Sequence, residues 1–182
     1  MNLIIANRQR TRKINSRQLK EIVGELFSEL KIMEAELGIH LVGAKEMARV
    51  NWKYLQHEGS TDVITFDHSE NRPSAIGHRQ CLNGELFICV DDAVKQAKEF
   101  GTSWQSEVVR YVVHGVLHLL GYNDLKLALR RVMKREENRL VRLLEKIPRG
   151  GARRSARAAA NQNALVDNSG ARGATRPTRR QP

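Results

Sequence analysis

The stretch EVVRYVVHGVLHLLG, residues 107–121, limits the fold more than any other part of the chain. Its valines and leucines recur at helical spacing, Ser103 ahead of it suits an N-cap, Glu107 falls in the early turns, and Gly121 suits a C-terminal stop. The helix predicted over 103–121 turns Val112, Val113, Val116, Leu117, Leu119 and Leu120 toward a core. Into that run the sequence sets His114 and His118, two of the chain's six histidines. A buried imidazole costs free energy unless something binds it. Four positions along a helix are about 400° of rotation, roughly 40° net, so the two rings stack on one face a turn apart.

Period and punctuation give the remaining elements. NLIIANRQ, 2–9, is short and aliphatic and reads as a first strand. From Ser16, expected to act as the cap, Leu19, Ile22, Val23, Leu26, Phe27 and Leu30 follow at three-and-four spacing and predict a helix. AELGIHLVG (35–43) reads as a second strand, AKEMARVNWKYL (44–55) as a short helix and STDVITFDH (60–68) as a third strand. Residues 69–83, with Pro, Gly and polar clusters, read as a loop. GELFICVDD (84–92) is a fourth strand running into a helix that Gly101 stops, and 125–147 form a last helix before Pro148. The result is an α/β fold, a small mixed four-stranded sheet packed with about five helices.

Net charge is +11 over 182 residues, and its placement matters. From Arg149 onward eight arginines stand against Asp167, +7 of the +11, among Gly, Ala, Ser, Pro and Asn with only Leu165 and Val166 as large aliphatics. Such a segment cannot bury enough surface to offset its ordering entropy, so 149–182 are expected to be a disordered basic tail behind one domain, 1–148. The tail either grips phosphates or simply solubilises the protein. Cys81 and Cys89 lie in no metal-binding pattern, residues 1–10 carry only a four-residue apolar patch, and no run approaches the ~20 apolar residues a bilayer requires. A reducing cytoplasm and no membrane partner are the expectation.

Gly121, able to adopt a positive φ, can turn the chain so that Asn123 or Asp124 comes within reach of both rings, while the compact Gly115 is expected to leave room beside them. A catalytic tetrahedral site takes three protein ligands and one open position, and H-x3-H-x5-D makes Asp124 the natural third ligand. The competing assignment is a cap, with Asn123 or Asp124 accepting from the first turn of the next helix. Gly115 occupies the position where zinc peptidases of the HExxH type carry their glutamate base, which argues against peptidase chemistry.

HGVLHLLGYND, preceded by GELFICVDDAVKQAKEFG and STDVITF, resembles the bacterial YbeY family from about residue 3 to about residue 145. That family comprises metal-dependent single-strand endoribonucleases linked to ribosomal RNA maturation, with the signature His-Gly-x-Leu-His-Leu-x-Gly-Tyr-Asp-His. His114, Gly115, Leu117, His118, Leu119, Gly121 and Tyr122 match it, and Thr61, Asp62, Val63 and Phe66 match a second family segment, Thr-Asp-Val-Leu-Ser-Phe. The resemblance implies one Zn2+ held by His114, His118 and Asp124, and single-stranded RNA, chiefly ribosomal, as substrate, with ribosomal proteins as further partners. Two departures stand out. Asn123-Asp124 replaces the closing Asp-His, so a carboxylate replaces the third imidazole and a zinc site would carry +1 rather than +2, acidifying its water less. Leu55 stands where the family carries an arginine important for RNA cleavage, removing a planar phosphate clamp that Lys53 could replace only as a point charge.

Asp62 and Glu85 are the candidates for proton handling, since the family fold brings their strand ends toward the cleft; a turn-forming Asx hydrogen bond and a solvated strand start are their ordinary alternatives. His40 reads as a half-buried strand residue, His57 as solvated, His78 as a loop residue, and His68 as a residue after the third strand that could, but need not, approach the cleft. KREENRLVRLLEK reads as a solvated, charge-laced helix face. A metal-dependent endoribonuclease is the leading function. A non-catalytic RNA- or ribosome-binding module with a structural metal, and a metallohydrolase with another substrate, are the alternatives.

Overall fold

In a computed structural model that describes residues 1–69 and 81–146, two strands with matching burial form the centre. In β2 (Glu34–Val42) and β4 (Cys81–Cys89), Leu37, Ile39 and Leu41 and then Leu82, Leu86 and Ile88 are buried on one side, while the residues between them are more exposed. The strands run parallel, with β1 (Asn2–Asn7) parallel on the far side of β2 and β3 (Val63–Asp67) antiparallel beside β4, in the order β1-β2-β4-β3. Parallel neighbours need crossovers, supplied by α1 (Ser16–Glu29) and by α2 (Ala44–Leu55) with β3. The mixed four-stranded sheet with five helices is the expected α/β class.

One face of the sheet carries the main core, where α1, α3 (Val90–Phe100), α4 (Trp104–Leu119) and α5 (Leu127–Glu145) bury Leu26, Phe27, Val90, Val113, Leu117 and Leu140 against Ile39, Leu86 and Ile88. On the other face a smaller cluster joins Val42, Met47, Ile64 and Cys89, with Phe66 and Phe87 packed against it. Asp91, at the start of α3, accepts from Thr11 and from the Ala44 N–H (2.6 Å), so its carboxylate caps the N-terminus of α2, where Gly43 has no side chain to do so.

Three local expectations change. Asn15, not Ser16, caps α1: its Oδ1 accepts from the N–H groups of Arg17 and Gln18, both 3.1 Å. β4 begins at Cys81, inside the expected loop, because Cys81 to Asn83 pair in register with Glu34 to Glu36. Gly115 does not leave room beside the histidines. A Cβ there would lie 2.6 Å from Leu86 Cδ2 and 3.3 Å from Thr65 Oγ1, so its missing side chain lets α4 press onto the sheet. The expected basic tail (149–182), His78 and most of the expected loop 69–83 lie outside the described residues.

Candidate metal centre

α4 ends in a Schellman turn: Gly121, at φ +91°, donates to the His118 carbonyl (2.9 Å) and Tyr122 donates to the Leu117 carbonyl (3.0 Å). The turn aims the Tyr122 carbonyl back at His118, whose Nδ1 lies 3.1 Å from it. His114 Nδ1 lies 3.0 Å from Glu137 Oε2, and the two Nε2 atoms face each other at 3.0 Å. A carbonyl only accepts and Glu137 is ionised, so both Nδ1 atoms donate, and in its neutral form each ring presents a lone pair at Nε2. Lone pairs that close repel unless a cation or proton lies between them. Asp124 completes the set, with ligand atoms of His114, His118 and Asp124 all within 4.8 Å of one another. Two imidazoles and a carboxylate fit a metal ion.

The acid that orients His114 comes from α5 and is buried at 3% exposure. Burial opposes its ionisation, but hydrogen bonds from His114, Lys134 (2.8 Å) and Arg110 (2.7 Å) outweigh that and hold the Glu137 carboxyl down at about 2. Taking KREENRLVRLLEK as a solvated face passes over Glu137. A signal is present in the sequence: Glu137 follows Met133 by four and precedes Leu140 and Val141 by three and four, so it stands in the buried stripe of α5. Burial and the neighbouring His114 lower the pKa of His118, against the opposing pull of Asp124, the Tyr122 carbonyl and Asp62, which favours a neutral, ligating ring.

Asp124 joins the histidines and does not cap α5, whose N-cap is Lys126; Asn123 Oδ1 accepts from the Leu125 N–H (2.7 Å) within the loop. Asp62 Oδ1 accepts from Thr61 Oγ1 (3.0 Å) and the Val63 N–H (2.9 Å), which shapes the turn into β3. Glu85 points to the sheet face opposite Leu86 and is not brought to the imidazole pair. It lies 3.5 Å from His40 Nε2 and 3.8 Å from His68 Nε2. A cleft of about 640 Å³ opens beside the centre, lined by His118, Tyr122, Asp124 and Leu125 from the end of α4 and the loop after it and by Phe66 and His68 from β3 and the residue after it. Leu55 ends α2 at 47% exposure, and the neighbouring Lys53 Nζ lies 5.0 Å from the Tyr54 ring centroid. His57 is exposed.

A family model described as Endoribonuclease YbeY matches residues 4–145. The Endoribonuclease YbeY of Geobacter metallireducens is 31% identical over 148 residues, covering 80% of this chain and 97% of that protein. The same-named protein of Salinibacter ruber is 30% identical over 132 residues, 72% and 84% of the two chains, and that of Parabacteroides distasonis 37% over 100 residues, 55% and 65%. The solution structure of TM1509 from Thermotoga maritima superimposes with a TM-score of 0.57 at 20% identity, covering 93% and 99% of the two chains, a likeness of fold.

Proposed function

Because the chain belongs to the endoribonuclease YbeY family, we propose that its His114–His118–Asp124 centre holds one zinc ion and hydrolyses phosphodiester bonds of single-stranded RNA. Ribosomal RNA is the substrate in this reading, the cytoplasm the compartment, and ribosomal proteins the neighbours met there. Among the described residues no helix is long and apolar enough to cross a membrane. The observation that carries the reading is the pair of Nε2 atoms 3.0 Å apart, each ring fixed from behind through Nδ1, with Asp124 in reach.

When bound, the ion supplies Lewis-acid assistance, acidifying water and offsetting charge that develops on phosphoryl oxygens. The residues do the rest. Glu137 and the Tyr122 carbonyl hold the two rings in the ligating tautomer, so that little reorganisation accompanies the reaction. Asp124 brings a negative charge that moderates the acidity gained by water. Asp62 keeps β3 in place beside the cleft, and Glu85 works through His68, an imidazole that lines the cleft, by setting its orientation.

The test is metal content by mass spectrometry followed by cleavage of a single-stranded oligoribonucleotide. The unaltered protein should carry one zinc per chain and cut, His114→Ala should do neither, and Leu55→Arg should cut faster, by up to about a hundredfold if the side chain reaches a phosphate. Leu55 also supports a second reading, an RNA-binding module with a structural metal. Zinc and tight RNA binding, with no cutting by the unaltered protein or by Leu55→Arg, would establish that reading instead.

A further inference from the structure

We propose that the cleft clamps one unpaired nucleobase between Leu125 and the Phe66–Tyr54 ring pair, setting the adjoining phosphate at the histidine centre. The inference rests on the RNA-cleaving reading and names the part of the substrate that the cleft grips. Leu125 directly follows Asp124 and, at 82%, is the most exposed large apolar residue among those described. Core packing does not account for it, and the loop does not depend on its side chain, because Asn123 Oδ1 fixes the Leu125 backbone N–H. Leu125 lines the cleft together with His118 and Asp124.

Phe66 of β3 also lines the cleft, and Tyr54 packs edge-on against its ring with centroids 4.9 Å apart at 72°. Tyr54 remains 54% exposed, and the Lys53 ammonium sits 5.0 Å from its ring centroid. Among the described residues β3 is an edge strand of the sheet. Apolar side chains of Phe66 and Leu125 along the cleft and a volume in the small-ligand range suit a flat aromatic group tethered to phosphate, with Lys53 and Tyr54 behind Phe66 as the cation and the second ring. A base already paired in a duplex cannot enter, so the clamp itself selects single strands. Stacking discriminates little among bases, so the clamp is tolerant of sequence.

The experiment measures binding by the full chain, as purified, of a cleavage-resistant 2′-O-methyl phosphorothioate oligouridylate and of a matched strand of abasic sugars. The unaltered protein should prefer the base-bearing strand by about tenfold or more. Leu125→Ser and Tyr54→Ala should each remove most of that preference and leave the salt slope unchanged, whereas Lys53→Ala should flatten the slope and keep the preference. The clamp is overturned if Leu125→Ser binds the base-bearing strand like the unaltered protein, or if both strands weaken equally. Should Tyr54→Ala fail to fold, Leu125→Ser decides alone, since its side chain is exposed. Cleavage by the unaltered protein together with normal binding by Leu125→Ser sinks the clamp only; base-dependent binding without any zinc-dependent cleavage sinks only the nuclease reading.

Discussion

At the C-terminal end of α4, His114 and His118 meet Asp124; Glu85, on the other face of the sheet, lies between His40 and His68, and His68 also lines the cleft. Each group is two imidazoles and a carboxylate, yet they differ at the nitrogen away from the carboxylate. Behind His114 and His118 stand acceptors, the Glu137 carboxylate and the Tyr122 carbonyl, which take the Nδ1 protons and leave lone pairs converging at Nε2. Behind His40 stands a donor: Arg8 Nη1, 3.4 Å from Nδ1, can only give a proton, so Nδ1 accepts and Nε2 keeps its hydrogen toward Glu85. The ring's other partner therefore decides which nitrogen of each imidazole carries the lone pair and which the hydrogen.

Removing a ligand breaks the contrast most severely. His118→Ala should abolish bound metal and lower RNA cleavage by more than the 10- to 100-fold that outer partners usually carry, read by metal analysis and by initial rates. Next comes the acceptor behind His114. Glu137→Gln keeps the shape but loses the charge, and zinc affinity measured against a competing chelator should fall about 10- to 100-fold. A fall smaller than threefold would show that the acceptor does not set the tautomer.

The same residue predicts a pH dependence. The Glu137 carboxyl is held at about 2, below its ordinary 4.5, so the stability it contributes is complete above about 4.5 and is lost as pH falls toward 2. Chemical denaturation of the metal-stripped chain should show this loss, and Glu137→Gln should lack that part of it.

The two trios are unequally legible in the sequence. His114, His118 and the returning Asp124 lie within eleven residues, and helix geometry with one glycine turn is enough to gather them. Glu137 is 23 residues from His114, and its role depends on how α5 packs on α4, which a charge-rich run conceals although the stripe spacing is there to be read. The strands are legible from their alternation, but the start of β4 at Cys81 is not, because polar Cys81 and Asn83 are strand only through their register with β2. Glu85 was expected near the cleft; which face it occupies is fixed by that register, with Leu86 next to it taking the face toward α4.

Changes in the second trio sharpen the contrast by what they leave alone. His40→Ala and Glu85→Gln should retain one metal per chain, with affinity unchanged within about threefold, since neither residue belongs to the His114–His118–Asp124 group. If Glu85 orients His68, Glu85→Gln should still slow cleavage, so metal content and rate separate in one variant.

Arg8→Ala should have the smallest effect, and it tests the tautomer argument most directly. Arg8 pairs with Glu46 at 2.9 Å and lies 5.7 Å from the Phe87 ring centroid, with its side chain 43% exposed, so its loss should cost at most about 1 kcal/mol of stability. Nitrogen-15 spectra of the imidazoles should show His40 unprotonated at Nδ1 in the unaltered protein and a mixture of tautomers in Arg8→Ala, while His114 and His118 stay protonated at Nδ1 in both. A His40 ring already protonated at Nδ1 with Arg8 present would mean that donor and acceptor partners do not separate the two trios. The metal preference of the α4 pair would then rest on convergence of ligands alone.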